Sequence, residues 1–308
     1  VSAFERLADA LRQAGLPVRQ DEPLARHTTY RIGGPADLFV TVERREDLGI
    51  AVALASQRGA PHLILGSGAN LLVGDRGYRG LVICNRCLGV DVRPEAEGSA
   101  GALVIAESGV LLATLARQMG RQGLGGLAWA EGIPGSLGGA IVGNAGAYGG
   151  SMSDLVVSAE CLHRDGLPDV WPAQALGFGY RTSRLKADRD AVVVAATLQL
   201  RRSEPAEEER LMREYSERRR ERQPVGPSAG SVFKNPAGDS AGRLIEAAGM
   251  KGQRVGGALV SPKHANFILN ADGATAADVR ALMDRIRGEV SRRFGVVLDP
   301  EIELIGAF

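Results

Sequence analysis

The spacing of apolar positions changes several times along the chain, and each change marks an element. Phe4, Leu7, Ala8 and Leu11 recur at helical spacing until Gly15 and Pro17 stop the run. Pro23 to Arg31 carries strand chemistry at Thr28-Thr29-Tyr30, and Gly33-Gly34-Pro35 then turns the chain. Ala36 to Val42 alternates as a strand. Arg45 to Arg58 reads as a helix, with Leu48, Ala51, Val52 and Ala55 on one face. Short apolar runs at His62–Leu65, Leu71–Val73 and Leu81–Asn85 predict strands around a glycine-rich loop. Together, residues 18–86 read as a small β-α-β-type module.

A second unit follows over residues 87–200. It has a strand at Leu103–Ser108, a helix at Leu111–Met119, and strands near Asp154–His163, Val170–Pro172 and Ala191–Leu200. Residues 204–222 are dense in Glu and Arg, with Met212 and Tyr215 among the few apolar positions. They predict a solvated helix crossing between domains, ended by Pro224 and Pro227. A third unit over about 225–297 contains a strand at Asn266–Asn270. Its helix carries Val279, Leu282, Met283, Ile286 and Val290 on one face. The last strand, Ile302–Ile305, is expected to return to an earlier unit. No internal repeat is visible.

Composition narrows the function classes. The chain has 308 residues and 41 glycines, well above the usual ~7 per cent. Lys+Arg (37) and Asp+Glu (36) nearly cancel, which argues against a nucleic-acid protein with a basic surface. Three cysteines in a chain of this length point to a reducing compartment. The amphipathic start is not a signal peptide, and no apolar run is long enough to span a membrane, so the expected location is the cytoplasm.

The glycines have neither a collagen period nor a linker composition. Twelve of them fall between Gly120 and Gly150, and two more bracket Ser67. Gly66-Ser67-Gly68-Ala69-Asn70-Leu71 closes a strand with a loop whose amides can form an anion nest. Gly132-Ile133-Pro134-Gly135-Ser136-Leu137-Gly138-Gly139 continues to Gly143-Asn144-Ala145-Gly146, longer than a turn needs. Neither segment is a Walker A loop or a dinucleotide fingerprint at a strand-to-helix turn. Two such clusters in separate units suit one diphosphate cofactor; tight packing is the alternative.

Other chemistry is sparse. The histidines at 27, 62, 163 and 264 lie far apart without metal-ligand spacing. Cys84 and Cys87 have redox spacing, but Cys84 sits in an apolar strand and reads as a core residue. Ser228-Ala229-Gly230-Ser231-Val232-Phe233-Lys234-Asn235-Pro236 places a serine beside a lysine and an asparagine.

Six segments, in order, resemble the UDP-N-acetylenolpyruvoylglucosamine reductase family. They are Thr28–Asp37, Gly66–Leu72, Gly132–Gly150, Gly179-Tyr180-Arg181-Thr182-Ser183, Ser228–Pro236 and Pro300-Glu301-Ile302-Glu303-Leu304-Ile305-Gly306. The resemblance implies an α+β fold: a vanillyl-alcohol-oxidase-like two-module FAD-binding domain plus an α+β substrate-binding domain. The expected boundaries are 1–86, 87–203 and 204–297, with about 298–308 returning to the first module.

The resemblance further implies an FAD-dependent, NADPH-consuming reductase of peptidoglycan (cell wall) precursor synthesis. It would reduce UDP-N-acetylglucosamine enolpyruvate to UDP-N-acetylmuramate. Hydride would pass from NADPH to the flavin and from flavin N5 to C3, and a proton would reach C2. Ser231 then looks like the proton donor, with Arg181 and Glu301 at the substrate carboxylate. Glu301 is expected to be protonated or tightly paired there, because an ionised glutamate would repel that carboxylate.

The expected FAD contacts are Tyr30, Gly33, Gly66, Ser67, Gly68, Ala69, Asn70, Leu71, Gly132, Ile133, Pro134, Gly135, Ser136, Gly138, Gly139, Asn144, Ala145, Gly146 and Arg243. Arg218, Arg222, Asn235 and His264 are expected at the substrate. No metal is implied. The partners expected are small molecules, not nucleic acid or membrane, and the chain is expected to be a monomer.

One family branch carries an extra tyrosine-bearing loop. No such insertion occurs between residues 181 and 204, so the chain resembles the shorter branch. An oxidase of the same flavoprotein fold would share the glycine clusters but not Ser231 in its context or Pro300-Glu301-Ile302-Glu303. An inert flavin- or nucleotide-binding module would bind without turnover.

Overall fold

Apolar periodicity becomes a set of short strands and helices in the computed structural model, which describes residues 3–94, 101–163, 166–189 and 191–308. Val1 and Ser2, part of the expected helix start, lie outside them. In chain order the first elements are α1 (Ala3–Gln13), β1 (Val18–Pro23), β2 (Pro35–Val42), α2 (Arg45–Gln57), β3 (His62–Leu65), β4 (Leu71–Val73) and β5 (Tyr78–Asn85). Then come β6 (Val90–Pro94), β7 (Gly101–Glu107), α3 (Leu112–Arg121), β8 (Leu124–Gly125), α4 (Leu137–Val142), β9 (Gly146–Ala147) and β10 (Gly150–Ser151). The middle closes with β11 (Val156–His163), β12 (Pro168–Pro172), α5 (Arg184–Asp188), β13 (Ala191–Arg202) and α6 (Pro205–Arg222). The last elements are α7 (Ala241–Ala247), β14 (Arg254–Val255), β15 (Ala258–Val260), β16 (Ile268–Asn270), α8 (Ala276–Phe294) and β17 (Glu303–Ile305).

The chain divides into two compact units of interleaved segments. One comprises residues 1–19, 38–67 and 80–218; the other comprises 20–37, 68–79 and 219–308. The first holds two cores. Leu7 and Leu11 of α1, Leu48 and Val52 of α2, and Leu81 and Ile83 of β5 build one. The other lies under the antiparallel sheet ordered β12-β11-β13-β7-β6, where α3 contributes Leu112, Leu115 and Met119. In the remaining small sheet, ordered β1-β2-β5-β3, β3 runs parallel to β5.

The second unit has one core, drawn from distant parts of the chain. Tyr30, Ile32 and Leu72 pack with Val232, Phe233, Leu244, Ile245 and the inner face of α8. β14, β15 and β16 form an antiparallel sheet, while β17 pairs with β4 in parallel, Glu303 opposite Leu71. α8 starts at a Thr275–Asp278 capping box and ends at Gly295, whose φ of 68° suits a glycine C-terminus. Asp75 adds a second cap, its two oxygens accepting the Ala276 and Ala277 amides at 2.7 and 2.9 Å.

Three expectations need correction. Thr28-Thr29-Tyr30 is not a strand. The chain passes from β1 through a 3-10 turn at Leu24–His27 into a turn in which the Thr28 hydroxyl donates to the Ile32 carbonyl at 3.0 Å. Arg31 closes that turn at φ 55°. A threonine that bonds its own neighbourhood competes with the ladder its β-branched shape favours. The solvated helix exists as α6, but Glu208 and Met212 on it are buried; the Ser203 hydroxyl donates to the Glu208 carboxylate at 2.7 Å. Finally, the strand expected from Asp154 begins at Val156, because Ser151 and Asp154 form a capping box around a 3-10 turn. Cys84 and Cys87 are free and buried, as a core reading requires. Burial pushes the Cys87 thiol up to about 12.

Candidate functional site

The first unit brings the two glycine clusters together. Gly66, at the end of β3, lies so close to Ser136 that a Cβ there would sit 2.1 Å from the Ser136 hydroxyl. Ser136 is buried and caps α4. Gly138 is equally constrained, with a hypothetical Cβ 2.9 Å from that of Ser108. By contrast, a Cβ on Gly135 would meet nothing within 4 Å, and one on Gly139 only the Ser136 hydroxyl at 3.6 Å. Some glycines therefore serve packing, while Gly135 leaves open surface beside the Ile133–Pro134 turn. Gly132 adopts φ 71°, a conformation that excludes most other residues.

The loop leaving β3 has the donors a diphosphate needs. Among the described residues, the amides of Ser67, Gly68 and Ala69 have no hydrogen-bond partner. Gly68 at φ 69° and Asn70 at φ 60° bend the backbone so that successive N–H groups form a nest. Gly68 also packs against its own unit, since a Cβ would fall 1.8 Å from the His27 carbonyl oxygen. Gly33, at φ 144°, leaves room for Val73 of β4. That donor set suits the diphosphate of an anionic flavin dinucleotide.

Further along the first unit, the glycine run meets Arg181. The Asn144 amide donates to the Gly179 carbonyl at 2.9 Å, and its carbonyl accepts the Ser153 amide at 3.0 Å. Gly179 and Thr182 close a one-residue-pair bridge around Tyr180 and Arg181. Arg181 sits at φ 57°, unusual for a long side chain, and its guanidinium donates to the Gly146 carbonyl at 2.8 Å. Such a backbone outlier persists only where the surroundings enforce it. Asn144 thus acts through its side chain on the turn that carries Arg181. Ala145 takes part through its backbone, donating to Ala140 and accepting from Met152.

In the second unit, the segment of Ser231 is paired with that of Glu301. The Glu301 amide donates to the Val232 carbonyl at 2.8 Å, and Phe233 bridges Pro300. Asn70, at the end of the amide nest, donates through its side chain to the Glu301 carbonyl at 3.2 Å and accepts the Glu303 amide at 2.9 Å. Thr29, which motif reading passed over, ties the same loop from the other side. Its amide donates to Gly68 O at 3.0 Å and its hydroxyl to Ser228 O at 2.8 Å. The signal was its presence in the quoted Thr28–Asp37 segment.

The remaining expected residues are placed differently. Tyr30 is fully buried in the second unit's core, with no hydrogen bond to its hydroxyl among the described residues. Arg243 is exposed on α7 and forms a two-armed ion pair with Asp239. Arg218 is exposed and bonds Glu214, one turn back on α6; Arg222 is exposed at the end of that helix. Asn235 is exposed, and its carbonyl accepts the Ala241 amide at 3.0 Å, next to the start of α7. His264 is half-buried against Phe267; its Nδ1 accepts the Asn266 amide at 3.2 Å, and burial lowers its pKa. Leu71 begins β4 and takes its pairing from Glu303.

A family model described as the C-terminal domain of UDP-N-acetylenolpyruvoylglucosamine reductase matches residues 221–305, and one described as an FAD binding domain matches residues 36–167. The chain is 48% identical over 303 residues to UDP-N-acetylenolpyruvoylglucosamine reductase 2 of Symbiobacterium thermophilum, covering 98% of this chain and 96% of that protein. It is 48% identical over 293 residues to the UDP-N-acetylenolpyruvoylglucosamine reductase of Moorella thermoacetica, covering 94% of each. The crystal structure of UDP-N-acetylenolpyruvylglucosamine reductase from Thermus caldophilus superposes with a TM-score of 0.77 at 37% identity, over 94% of this chain and 98% of that one.

Proposed function

The chain belongs to the UDP-N-acetylenolpyruvoylglucosamine reductase family of FAD-dependent oxidoreductases, and from that premise we propose that it reduces UDP-N-acetylglucosamine enolpyruvate to UDP-N-acetylmuramate at the expense of NADPH. The observation that supports this most directly is the backbone hydrogen bond from Glu301 to Val232, which sets Glu301 beside the residue after Ser231. In this reading the enzyme acts in the cytoplasm as a monomer, supplying the wall precursor on which cell shape and division depend. Residues 1–86 and 87–203 serve the cofactor, residues 204–297 serve the substrate, and the C-terminal segment returns to the first module.

FAD held by these residues would supply hydride chemistry between NADPH and C3 of the enolpyruvyl ether. The protein's part is electrostatic and positional. Negative charge grows at C2 and the substrate carboxylate as C3 is reduced. Fixed donors aimed at that carboxylate stabilise the transition state more than the ground state. Arg181, held by Gly146, supplies positive charge, and Glu301 shares the carboxylate with it. Ser231 Oγ gives its proton to C2, a transfer a weak acid can make only to a strongly basic centre. The nest at Ser67–Ala69 and the Gly132–Gly139 segment hold the diphosphate of FAD. Arg218, Arg222, Asn235 and His264 contact the substrate.

The decisive assay is NADPH oxidation by the FAD-loaded protein with and without UDP-N-acetylglucosamine enolpyruvate. Substrate-dependent oxidation is expected; its absence would sink the proposal. The residue-level companion is Ser231→Ala. It should leave flavin reduction by NADPH nearly intact and slow reoxidation by substrate by about two to four orders of magnitude, the range for losing a general acid. Equal loss in both half-reactions would make Ser231 structural.

A further inference from the structure

We propose that Asn266 is a positioning residue for the substrate half-reaction: it fixes the backbone from which Ser231 projects and, through the same strand of backbone, the placement of Glu301. The inference rests on the roles given above to Ser231 and Glu301.

Asn266 is 4% exposed and uses both ends of its side chain on one neighbour. Its Oδ1 accepts the Phe233 amide at 2.9 Å, and its Nδ2 donates to the Phe233 carbonyl at 2.8 Å. Its main-chain carbonyl accepts the Val232 amide at 2.9 Å. The side chain therefore does for Phe233 what a paired strand would do, satisfying donor and acceptor together. On the opposite side, Val232 O accepts the Glu301 amide and the Lys234 amide donates to Asp299 O, at 2.8 and 2.9 Å. Val232 and Phe233 are thus held between Asn266 and the 299–301 segment, with both side chains 1% exposed.

Ser231 lies one residue before this clamp. Among the described residues its hydroxyl makes no hydrogen bond, so its reach is set by the backbone that carries it together with its own χ1 rotamer, and the clamp on Val232 and Phe233 fixes the first of these. On the other side Gly230 sits at φ 86°, a backbone conformation that favours glycine. Asn266 is itself anchored. It lies in a tight turn where the buried Ser261 hydroxyl accepts the Lys263 and His264 amides at 3.1 and 3.2 Å, and where Phe267 O accepts the Ser261 amide at 2.8 Å. Only an asparagine offers a donor and an acceptor at this reach. Aspartate keeps the acceptor and loses the donor; alanine loses both.

The test uses the FAD-loaded full chain as wild type, Asn266→Asp and Asn266→Ala, with two readouts. In rapid mixing, flavin reduction by NADPH should stay near the wild-type rate. Reoxidation by UDP-N-acetylglucosamine enolpyruvate should slow by about a hundredfold in Asn266→Ala, the scale for an ångström-sized misplacement, and less in Asn266→Asp. Amide hydrogen exchange should find Val232, Phe233 and Glu301 protected in the wild type and faster in Asn266→Ala, with the β11–β13 amides unchanged. The proposal is overturned if those amides exchange freely in the wild type, or if folded Asn266→Ala keeps full reoxidation or loses both half-reactions alike. If neither variant folds, the wild-type exchange pattern decides. If the wild type shows no substrate turnover, the reductase reading fails, and the exchange comparison still decides whether Asn266 holds the segment.

Discussion

Tyr30 offers a sharp test because two roles for it predict opposite outcomes. Its ring packs in the second unit's core with Ile32, Leu72, Val232 and Phe233, and it is 0% exposed. Its hydroxyl is buried with no hydrogen-bond partner among the described residues, and desolvation drives its pKa upward. A buried, unpaired hydroxyl costs about 1–3 kcal/mol. Tyr30→Phe keeps the ring and removes the oxygen, so the apo protein should gain a stability of that order. At roughly 2–4 °C per kcal/mol for a chain of this class, the melting temperature should rise by several degrees. Differential scanning calorimetry on apo and FAD-loaded protein gives the answer. If the hydroxyl instead touches the cofactor, the variant should hold FAD more weakly and lose part of the melting shift that FAD produces. An apo variant that melts lower than wild type refutes the argument, because it would mean that the hydroxyl is satisfied and contributing.

The glycine loops and His264 carry the remaining expectations. Gly66→Ala places a methyl group 2.1 Å from the Ser136 hydroxyl and should cost roughly 1–3 kcal/mol with loss of FAD on gel filtration; Ser136→Gly added to it should restore part of both. Gly135→Ala meets no neighbour within 4 Å, so its melting point should not move, and weaker FAD binding would report cofactor contact there directly. The pKa of His264 is lowered by burial, and its Nδ1 already accepts a hydrogen bond, so the folded state favours the neutral ring. The unfolded chain then binds the extra proton, and stability should fall as pH drops below about 6.5, toward the lower folded pKa. Urea unfolding at pH 8 and pH 5 should show a smaller difference for His264→Asn than for wild type, and equal differences would remove the argument.

Element type was legible wherever periodicity was long. The α8 face of Val279, Leu282, Met283, Ile286 and Val290 is the buried face, and β3, β5 and β13 follow their apolar runs. It failed where side chains bond the backbone. Thr28 closes a turn through Ile32, and Ser151 with Asp154 delays β11. β6 passed unnoticed because its exposed face carries Asp91 and Arg93, giving alternation too short to stand out. The glycine clusters were read as ligand surface, and their packing role was hidden, since Gly66 meets Ser136 and Gly68 meets His27 from remote positions. Arg243 and Arg218 come from the family resemblance, Arg243 for FAD and Arg218 for the substrate; each also pairs with an acid one turn away, a pattern that i,i+4 sequence inspection exposes.

The backbone bond from Glu301 to Val232 lay outside sequence reading because it is set by chain return. β4 is a three-residue strand that cannot stand alone, and β17 completes it in parallel register from the far end of the chain. The same return places the Glu303 amide on Asn70 O, the Gly74 amide on Ile305 O and the Arg76 amide on Ala307 O, so the exit of the Ser67–Ala69 loop is bonded to the C-terminal segment. Asp75 adds α8 to that assembly through two amides. Loop closure over more than two hundred residues is entropically slow but adds little per doubling of length. Its benefit is local: once β17 docks, the amide nest, the Glu301 backbone and the Val232 carbonyl share one hydrogen-bonded frame. The exit of the amide nest at Asn70 and the backbone beside Ser231 are therefore both hydrogen-bonded to one segment, through Glu301 and Glu303.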